Sequence, residues 1–521
     1  MTVTDEAPTS SAGSALRRWF VPAWGGRNFS VLFVARVAMS AARALAGVVV
    51  PVYLALQGFT GFTLGLLFFG VALFSAVLSS SVGLTSDRVG RKVFLVSVPL
   101  LAALAAAVFA VTTWVPALVA MAVLGSFGRG AGAGAGAVGP YQPVESAMVT
   151  DTTPAARRND AFGRLAFGSS GGALVGSLFA LLADGHHLRG AATLAAFRPA
   201  FVAAAVLAAV AGLLALALEE VPRPVRLGAP GGPTGARGAP DGEAEPIGAG
   251  EPIGAGEPVL PVDAGDVAEV GGTVVQAASS GTVSTVGEDV VAGRGQPGAP
   301  PSASSGTGPS TAGTPSGPPR RWGMRFPHRS RPLLVRLWAT NGVNGLAVGM
   351  IGPFVTYWLY RRYGVGVGEI GILYSVINLA TMPSTLSAAG LARRFGLVRT
   401  VTAVRVAQAV LLVPMVLAPT FALAGAAYLV RMVVQRIGLP LRQSYVLAMA
   451  DPDERASVAA LANLPSQAAM AASPVLSGYL FDNVSLELPF ELGAALQLVN
   501  AVLFWVFFHG SAPEEERQRP P

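Results

Sequence analysis

The sequence predicts an all-α membrane protein in which two bundles of six transmembrane helices are joined by a long disordered linker. Of the 521 residues, 52% are hydrophobic and only 12% are charged, whereas a soluble domain carries about 25% charged residues. The charges are therefore too sparse to cover several soluble domains. Apolar stretches of roughly 20 residues also recur along the chain, and each is long enough to cross a hydrocarbon core of about 30 Å as a helix.

The apolar stretches form two sets of six, numbered spans 1 to 12 in chain order. The first set occupies residues 29–55, 63–84, 93–113, 117–148, 162–183 and 197–218. The second set occupies residues 333–359, 368–390, 398–418, 421–448, 457–481 and 490–509. The predicted units are thus a six-helix half at 29–218, a second half at 333–509, and tails at 1–28 and 510–521.

Basic residues in the short loops predict the orientation, because Arg and Lys mark the cytoplasmic side of a membrane protein. They are concentrated before span 1 and near the loops after spans 2, 4, 8 and 10: Arg17, Arg18, Arg27, Arg88, Arg91, Lys92, Arg157, Arg158, Arg393, Arg394, Arg399 and Arg455. An even number of spans places both termini on that side. The first apolar segment is too long for the core of a cleavable signal. We therefore expect a multi-pass protein of the cell membrane with both termini in the cytoplasm.

Residues 219–332 differ in kind, since they are rich in Gly, Pro, Ala, Ser and Thr and nearly free of aromatic residues. Such a composition cannot bury enough apolar surface to offset the entropy of ordering. We interpret the segment as a disordered cytoplasmic linker. Its end is basic and aromatic and suits anionic membrane lipids, although a plain orientation signal explains it equally well: Arg320, Arg321, Trp322, Arg325, Phe326, Arg329 and Arg331.

The two halves carry a weak internal repeat. Residues 58–90 align with 364–396 at an offset of 306 without gaps, and this register pairs identical residues at seven places, among them Gly58 with Gly364 and Gly90 with Gly396. The identities fall at the same places in the same helix pair of each half. Duplication of a six-helix unit explains this pattern.

The loop between spans 2 and 3 reads Gly83-Leu-Thr-Ser-Asp87-Arg88-Val-Gly90-Arg91-Lys92. It resembles the signature loop of the major facilitator superfamily, Gly-x-x-x-Asp-Arg-x-Gly-Arg-Lys, at all six specified positions. The resemblance covers both six-helix halves and omits the linker and the tails.

This resemblance implies a conformational latch, because in the family the loop helps to hold the outward-facing state. Gly83, Asp87, Arg88, Gly90 and Arg91 are the candidate latch residues. Gly90 permits a tight turn, and Asp87 can lie against the amino end of a neighbouring helix, where negative charge is favoured. The alternative is that the basic residues only orient the chain. The second half has Arg393 where the repeat predicts Asp, which indicates a degraded second latch.

Span 5 carries Gly168-x-x-x-Gly172-Ala-x-x-Gly176, which resembles the family's antiporter signature with its proline lost. Small residues at this spacing chiefly allow helices to pack closely. Both interpretations remain open at this stage, and the lost proline weakens the case for antiport.

Charged residues inside the spans are mostly arginine, which predicts a cavity that prefers an anionic or a neutral polar solute. Arg43, Arg129 and Arg431 lie near mid-membrane, where a charge needs a partner or a watery cavity, and they are candidate substrate ligands. Arg36 and Arg405 are shallower, and Glu145 is the candidate proton-coupling site together with Arg129. The alternative is that the arginines pair with helix carboxyl ends or carbonyl groups.

Polar side chains in the second half could hydrogen-bond a hydroxylated solute or could equally join helices to each other. Asn344, Asn378 and Gln467 are the candidates for substrate binding.

Two parallel six-helix repeats around a central midplane site are typical of one large class of transporters. Together with the resemblance, they predict a secondary active transporter of a small organic solute that works by alternating access, with proton coupling and export as the leading hypothesis. Uptake of a nutrient or an organic anion is the alternative, and a non-transporting sensor is the alternative of another class.

The sequence offers little support for an enzyme. It lacks a phosphate-binding Gly-x-x-x-x-Gly-Lys-Ser/Thr loop, a zinc-spaced His pair and any cysteine. We therefore predict no catalytic residue, cofactor, metal or nucleic-acid partner, and we expect a monomer.

Overall fold

The computed structural model describes residues 26–127, 141–154, 157–183, 191–219, 329–383, 394, 396–449, 451, 454, 458 and 461–509. The predicted carboxyl-terminal tail, nearly all of the amino-terminal tail and residues 220–328 of the predicted linker lie outside these residues. The regular structure of the described residues is entirely helical, and each of the twelve predicted spans contains at least one helix. Nine helices within the described residues are long and apolar enough to cross a membrane.

The first half contains spans 1 to 6. Spans 1, 2 and 3 are the helices Gly26–Leu56, Gly61–Val89 and Arg91–Val111. Span 4 contains Val115–Leu124 and Tyr141–Thr152, with residues 128–140 outside the described part. Span 5 is Arg158–Leu178, continued by a 3₁₀ turn at Phe179–Leu182, and span 6 is Arg198–Ala215, preceded by the short helix Ala191–Ala195.

The second half contains spans 7 to 12. Span 7 is Arg331–Ile351 and Val355–Tyr363, joined by a 3₁₀ turn at Gly352–Phe354. Span 8 contains Val367–Thr381, and span 9 contains Leu397–Val410 and Leu412–Leu417. Spans 10, 11 and 12 are Phe421–Met449, Leu464–Asn483 and Leu488–Phe508.

Two faces of the molecule are named here by their loops. The linker face is the side on which span 6 ends and span 7 begins, and it also carries the loop between spans 2 and 3. The far face is the opposite side, which carries the loops that follow the odd-numbered spans. A polar contact ties the linker-face end of span 1 to the end of span 6, because Arg27 pairs with Glu219 at 3.2 Å and Asn28 donates to the Glu219 carbonyl.

The repeat in the sequence is also a repeat in backbone geometry. Gly58 and Gly364, which follow spans 1 and 7, have φ angles of +93° and +66°. Gly90 and Gly396, which precede spans 3 and 9, have φ angles of +105° and +80°. Residues with a side chain rarely adopt these angles. The glycines shared by the two halves thus mark the same two loops in each half.

Within each half, small residues let one pair of helices approach backbone to backbone. A methyl group on Gly172 of span 5 would lie 2.2 Å from the carbonyl oxygen of Val37 in span 1, and one on Gly176 would lie 2.0 Å from that of Ala41. In the second half, Gly345 of span 7 meets Ser466 of span 11 in the same way, at 2.3 Å. The small-residue motif of span 5 therefore packs this span on span 1.

Among the described residues, the contacts between the two halves lie mainly near the far face. Gly65 of span 2 lies against Pro474 of span 11, Gly371 of span 8 lies against Ser177 of span 5, and the Ser375 hydroxyl donates to the Leu174 carbonyl at 3.0 Å. The buried residues of span 11 all lie between Ser473 and Phe481, in the far-face part of this helix. Within the described part of the chain, the halves are thus closed against each other at the far face, and span 11 packs loosely in its linker-face part.

Candidate functional site

Glu145, the candidate proton-coupling residue, is buried in an ion pair between spans 4 and 1. The Arg36 guanidinium donates through Nη1 to Glu145 Oε2, and only 5% and 3% of the two side chains are exposed. Glu145 Oε1 and the hydroxyl of Tyr141, one turn earlier, have no hydrogen-bond partner among the described residues. The carboxylate therefore has one oxygen held by a cation and one oxygen that is available for a proton.

Arg43 lies two helical turns beyond Arg36 on the same side of span 1. Its Nη2 donates to the carbonyl of Ser126 at 3.3 Å, and its side chain is half-buried. Ser126 has a φ angle of +54°, which is uncommon for a residue with a side chain. Arg43 thus contacts the point where the first helix of span 4 ends. Arg129, three residues further on, lies outside the described residues.

Arg431 is the most isolated buried cation of the described residues. It lies ten residues into span 10, about 15 Å from the start of the helix and hence near mid-membrane. Its side chain is 3% exposed, and within the described part of the chain it makes no hydrogen bond or ion pair. A buried charge without a partner is costly.

A small cavity adjoins this arginine between spans 7 and 10. Its volume is about 10 Å³, which suits one water molecule, and its polar lining is Arg431 with Tyr428 and Gln435. Val348, Ile351, Gly352 and Met432 complete the wall. Arg431, a tyrosine and a glutamine therefore line one small space.

The candidate amides of the second half do not join Arg431. Asn344 accepts a hydrogen bond from Asn500 at 3.1 Å, and Asn500 in turn accepts one from Arg405, so these residues join spans 7, 9 and 12. Asn378 is buried and donates to the Tyr374 carbonyl of its own helix at 2.9 Å. Gln467 is exposed on the linker-face part of span 11. Substrate binding by these amides stays a prediction.

The signature loop is described in part. The side chains of Asp87 and Arg88 lie outside what the structure describes, and Gly83 is described only as part of the helix of span 2. Gly90 forms the turn between spans 2 and 3, where its amide donates to the Ser86 carbonyl at 3.1 Å. Arg91 forms an ion pair with Asp151 at the linker-face end of span 4. The loop is thereby tied to span 4 of its own half.

Sequence reasoning missed two partners. Arg36 shares one face of span 1 with Arg43, since seven residues separate them, but the sequence does not indicate that it pairs with Glu145. Asp482, at the far-face end of span 11, was not singled out, yet its carboxylate accepts hydrogen bonds from the amides of Gly61 and Phe62 in the other half. Its one sequence signal is a carboxylate at the carboxyl end of its own helix, where negative charge is disfavoured.

Comparison with known proteins supports one family over most of the chain. The family model of the Major Facilitator Superfamily matches residues 32–261 and 337–521. A comparison with curated protein sequences gives no match.

Several solved structures share the fold at low sequence identity. A mutant form of the nucleoside transporter NupG has a TM-score of 0.59 at 11% identity, covering 92% of this chain and 100% of that one. A D-xylose-proton symporter has a TM-score of 0.58 at 12% identity, covering 96% and 100%. A peptide transporter POT in complex with sulfate has a TM-score of 0.56 at 14% identity, covering 92% and 94%. At these low sequence identities, the similarity establishes the fold alone.

Proposed function

Because the chain belongs to the major facilitator superfamily, a family of multi-pass membrane transporters of small molecules, we propose that it exports a small organic solute by alternating access, driven by the proton gradient. The two six-helix halves rock about a central site, so that the site opens first to one face and then to the other. The far-face closure and the loose packing of span 11 correspond to the conformation that opens toward the linker face.

The buried pair of Arg36 and Glu145 is the observation that supports proton coupling. A carboxylate inside a membrane protein is costly unless it is paired or protonated, and Glu145 has both options, since one oxygen meets Arg36 and the other has no described partner. Protonation neutralises Glu145 and weakens its attraction to Arg36. Proton binding thus changes the contact between spans 1 and 4.

Arg431 is the observation that supports the proposed class of solute. This solute is anionic or has a polar group with partial negative charge. A buried guanidinium without a described partner binds an acceptor more strongly than a solvated one does, because little water has to be displaced. Arg43, which reaches the Ser126 carbonyl, and Arg129 are the further candidate ligands from the first half.

The remaining expectations concern the oligomeric state, the membrane and the orientation of the protein. We expect a monomer in the cell membrane with the linker face toward the cytoplasm, because the loops after spans 2, 4, 8 and 10 are rich in arginine. We expect the basic segment before span 7 to contact anionic lipid headgroups.

Flux in liposomes tests this function. A solute screen that compares a deletion strain with an overexpressing strain supplies the candidate, and purified protein is then assayed with and without a proton gradient. We expect transport that collapses when the proton gradient is removed. Glu145→Gln should lose this dependence on the gradient. Asp160→Asn should retain the dependence, because the Asp160 carboxylate pairs with Arg164 near the membrane surface. Transport that ignores the gradient contradicts proton coupling. Binding without flux favours the sensor, and gradient-driven accumulation into cells favours uptake.

A further inference from the structure

Asp482 links the two halves through the backbone of span 2. Its Oδ1 accepts a hydrogen bond from the amide of Gly61 at 2.8 Å, and its Oδ2 accepts one from the amide of Phe62 at 2.7 Å. The next amide of the helix, that of Thr63, donates to the Thr60 side chain. The first three amide donors of span 2 are thus satisfied by one local hydroxyl and one carboxylate from the other half.

The position of Asp482 in its own helix does not explain why a carboxylate is present there. The residue lies in the last turn of span 11, where the partial negative charge of the helix carboxyl end repels a carboxylate. The amino end of span 2 attracts a carboxylate for the same reason. The favourable electrostatic contact of Asp482 therefore lies across the boundary between the halves.

The backbones around this contact leave no space for a side chain. A methyl group on Gly478 would lie 2.1 Å from the Gly61 carbonyl oxygen, and one on Gly65 would lie 2.3 Å from that of Pro474. Spans 2 and 11 are antiparallel, so the far face joins the amino end of span 2 to the carboxyl end of span 11. The linker face instead carries the carboxyl end of span 2 and the amino end of span 11. Asp87 belongs to the last turn of span 2 at that face.

We propose that Asp482 is a gating residue whose carboxylate holds the far face closed by capping span 2 across the boundary between the halves. The contact breaks when the far face opens, because the two helix ends then separate. This assignment rests on the proposed function insofar as alternating access requires the far face to open.

Distances between spin labels test the gate without any solute. The chain contains no cysteine, so label pairs can be introduced directly. Val111→Cys with Val484→Cys reports on the far face, and Val93→Cys with Leu464→Cys reports on the linker face; all four side chains are at least half exposed. In Asp482→Asn we expect the ratio of far-open to far-closed molecules to rise on the order of five-fold. Far-face distances lengthen and linker-face distances shorten in the same preparation.

Three further variants complete the experiment. Asn483→Ala is the matched control, because Asn483 donates to the Tyr479 carbonyl of its own helix, and it should leave both distances unchanged. Asp482→Ser is a second neutral variant in case Asp482→Asn does not fold, and Asp482→Glu keeps the charge and should stay mainly far-closed. The proposal is overturned if the neutral variants keep the original distances, if only the far-face pair changes, or if Asp482→Glu opens as far as they do. Because no transport is measured, a protein that moves no solute still reports on this gate.

Discussion

Arg36 and Glu145 form a buried ion pair that joins span 1 to span 4 across 109 residues of sequence. The pair lies inside the first half, where neither charge has access to bulk water. The Glu145 carboxylate therefore depends on the Arg36 guanidinium, because a buried charge is costly without its counter-charge.

Removal of one member of this pair should be far more damaging than removal of both. Arg36→Ala leaves Glu145 buried without its cation and should lower the free energy of unfolding by about 3–5 kcal/mol. The double variant Arg36→Met with Glu145→Met should recover most of this loss, because two apolar side chains replace two desolvated charges. Thermal unfolding of the purified protein in detergent measures the difference. The control Arg27→Ala, which breaks an exposed pair with Glu219, should change stability by less than about 1 kcal/mol. A double variant as unstable as the single one would contradict this account.

Gly176 should tolerate no side chain, whereas Gly163 of the same helix should tolerate one. A methyl group at Gly176 would lie 2.0 Å from the Ala41 carbonyl oxygen, and one at Gly163 would meet nothing within 4 Å. We expect Gly176→Ala to lower the free energy of unfolding by about 1–3 kcal/mol, since the packed helices must separate. Gly163→Ala should leave it unchanged or raise it by up to about 1 kcal/mol. Equal effects of the two substitutions would show that spans 1 and 5 are not in backbone contact.

The corresponding loop glycines of the two halves should be equally sensitive to substitution by alanine. Gly90 and Gly396 have backbone angles of φ +105°, ψ 144° and φ +80°, ψ 153°, a region that is essentially restricted to glycine. Gly90→Ala and Gly396→Ala should each lower the free energy of unfolding by about 1–3 kcal/mol. Gly70→Ala is the control, since its methyl group would make an ordinary contact of 3.6 Å with Val123. Tolerance at only one of the two loop positions would mean that the halves are not equivalent here.

The sequence was sufficient for the features that depend on local composition. Each of the twelve apolar stretches contains at least one helix of the described residues, with differences at the ends, such as Gly26 where the sequence predicts that span 1 begins at residue 29. The offset of 306 also identified the loop glycines, because a positive φ angle is a requirement of a single residue.

Partners that depend on the packing of distant helices could not be predicted in this way. The spacing of Arg36 and Arg43 defines a face of span 1, but the position of Glu145 opposite that face is fixed only when span 4 packs against span 1. The contact of Asp482 with Gly61 likewise requires both halves to be in place. Single-residue constraints are thus visible in the sequence, whereas pairings between distant helices appear only in the structure.

Arg431 should limit stability while it supports transport. Its guanidinium is buried without a described partner, so Arg431→Met, which keeps most of the volume and removes the charge, should raise the free energy of unfolding of the solute-free protein by about 1–4 kcal/mol. The same variant should lose transport of the anionic solute identified by the screen, together with the increase in melting temperature that a bound solute gives. Arg336→Met is the matched control, because Arg336 is exposed, and its stability should change by less than about 0.5 kcal/mol. Thermal unfolding with and without solute, followed by flux in liposomes, separates the two effects. A less stable Arg431→Met would assign this arginine to the structure of span 10, and a variant that transports normally would remove it from the binding site.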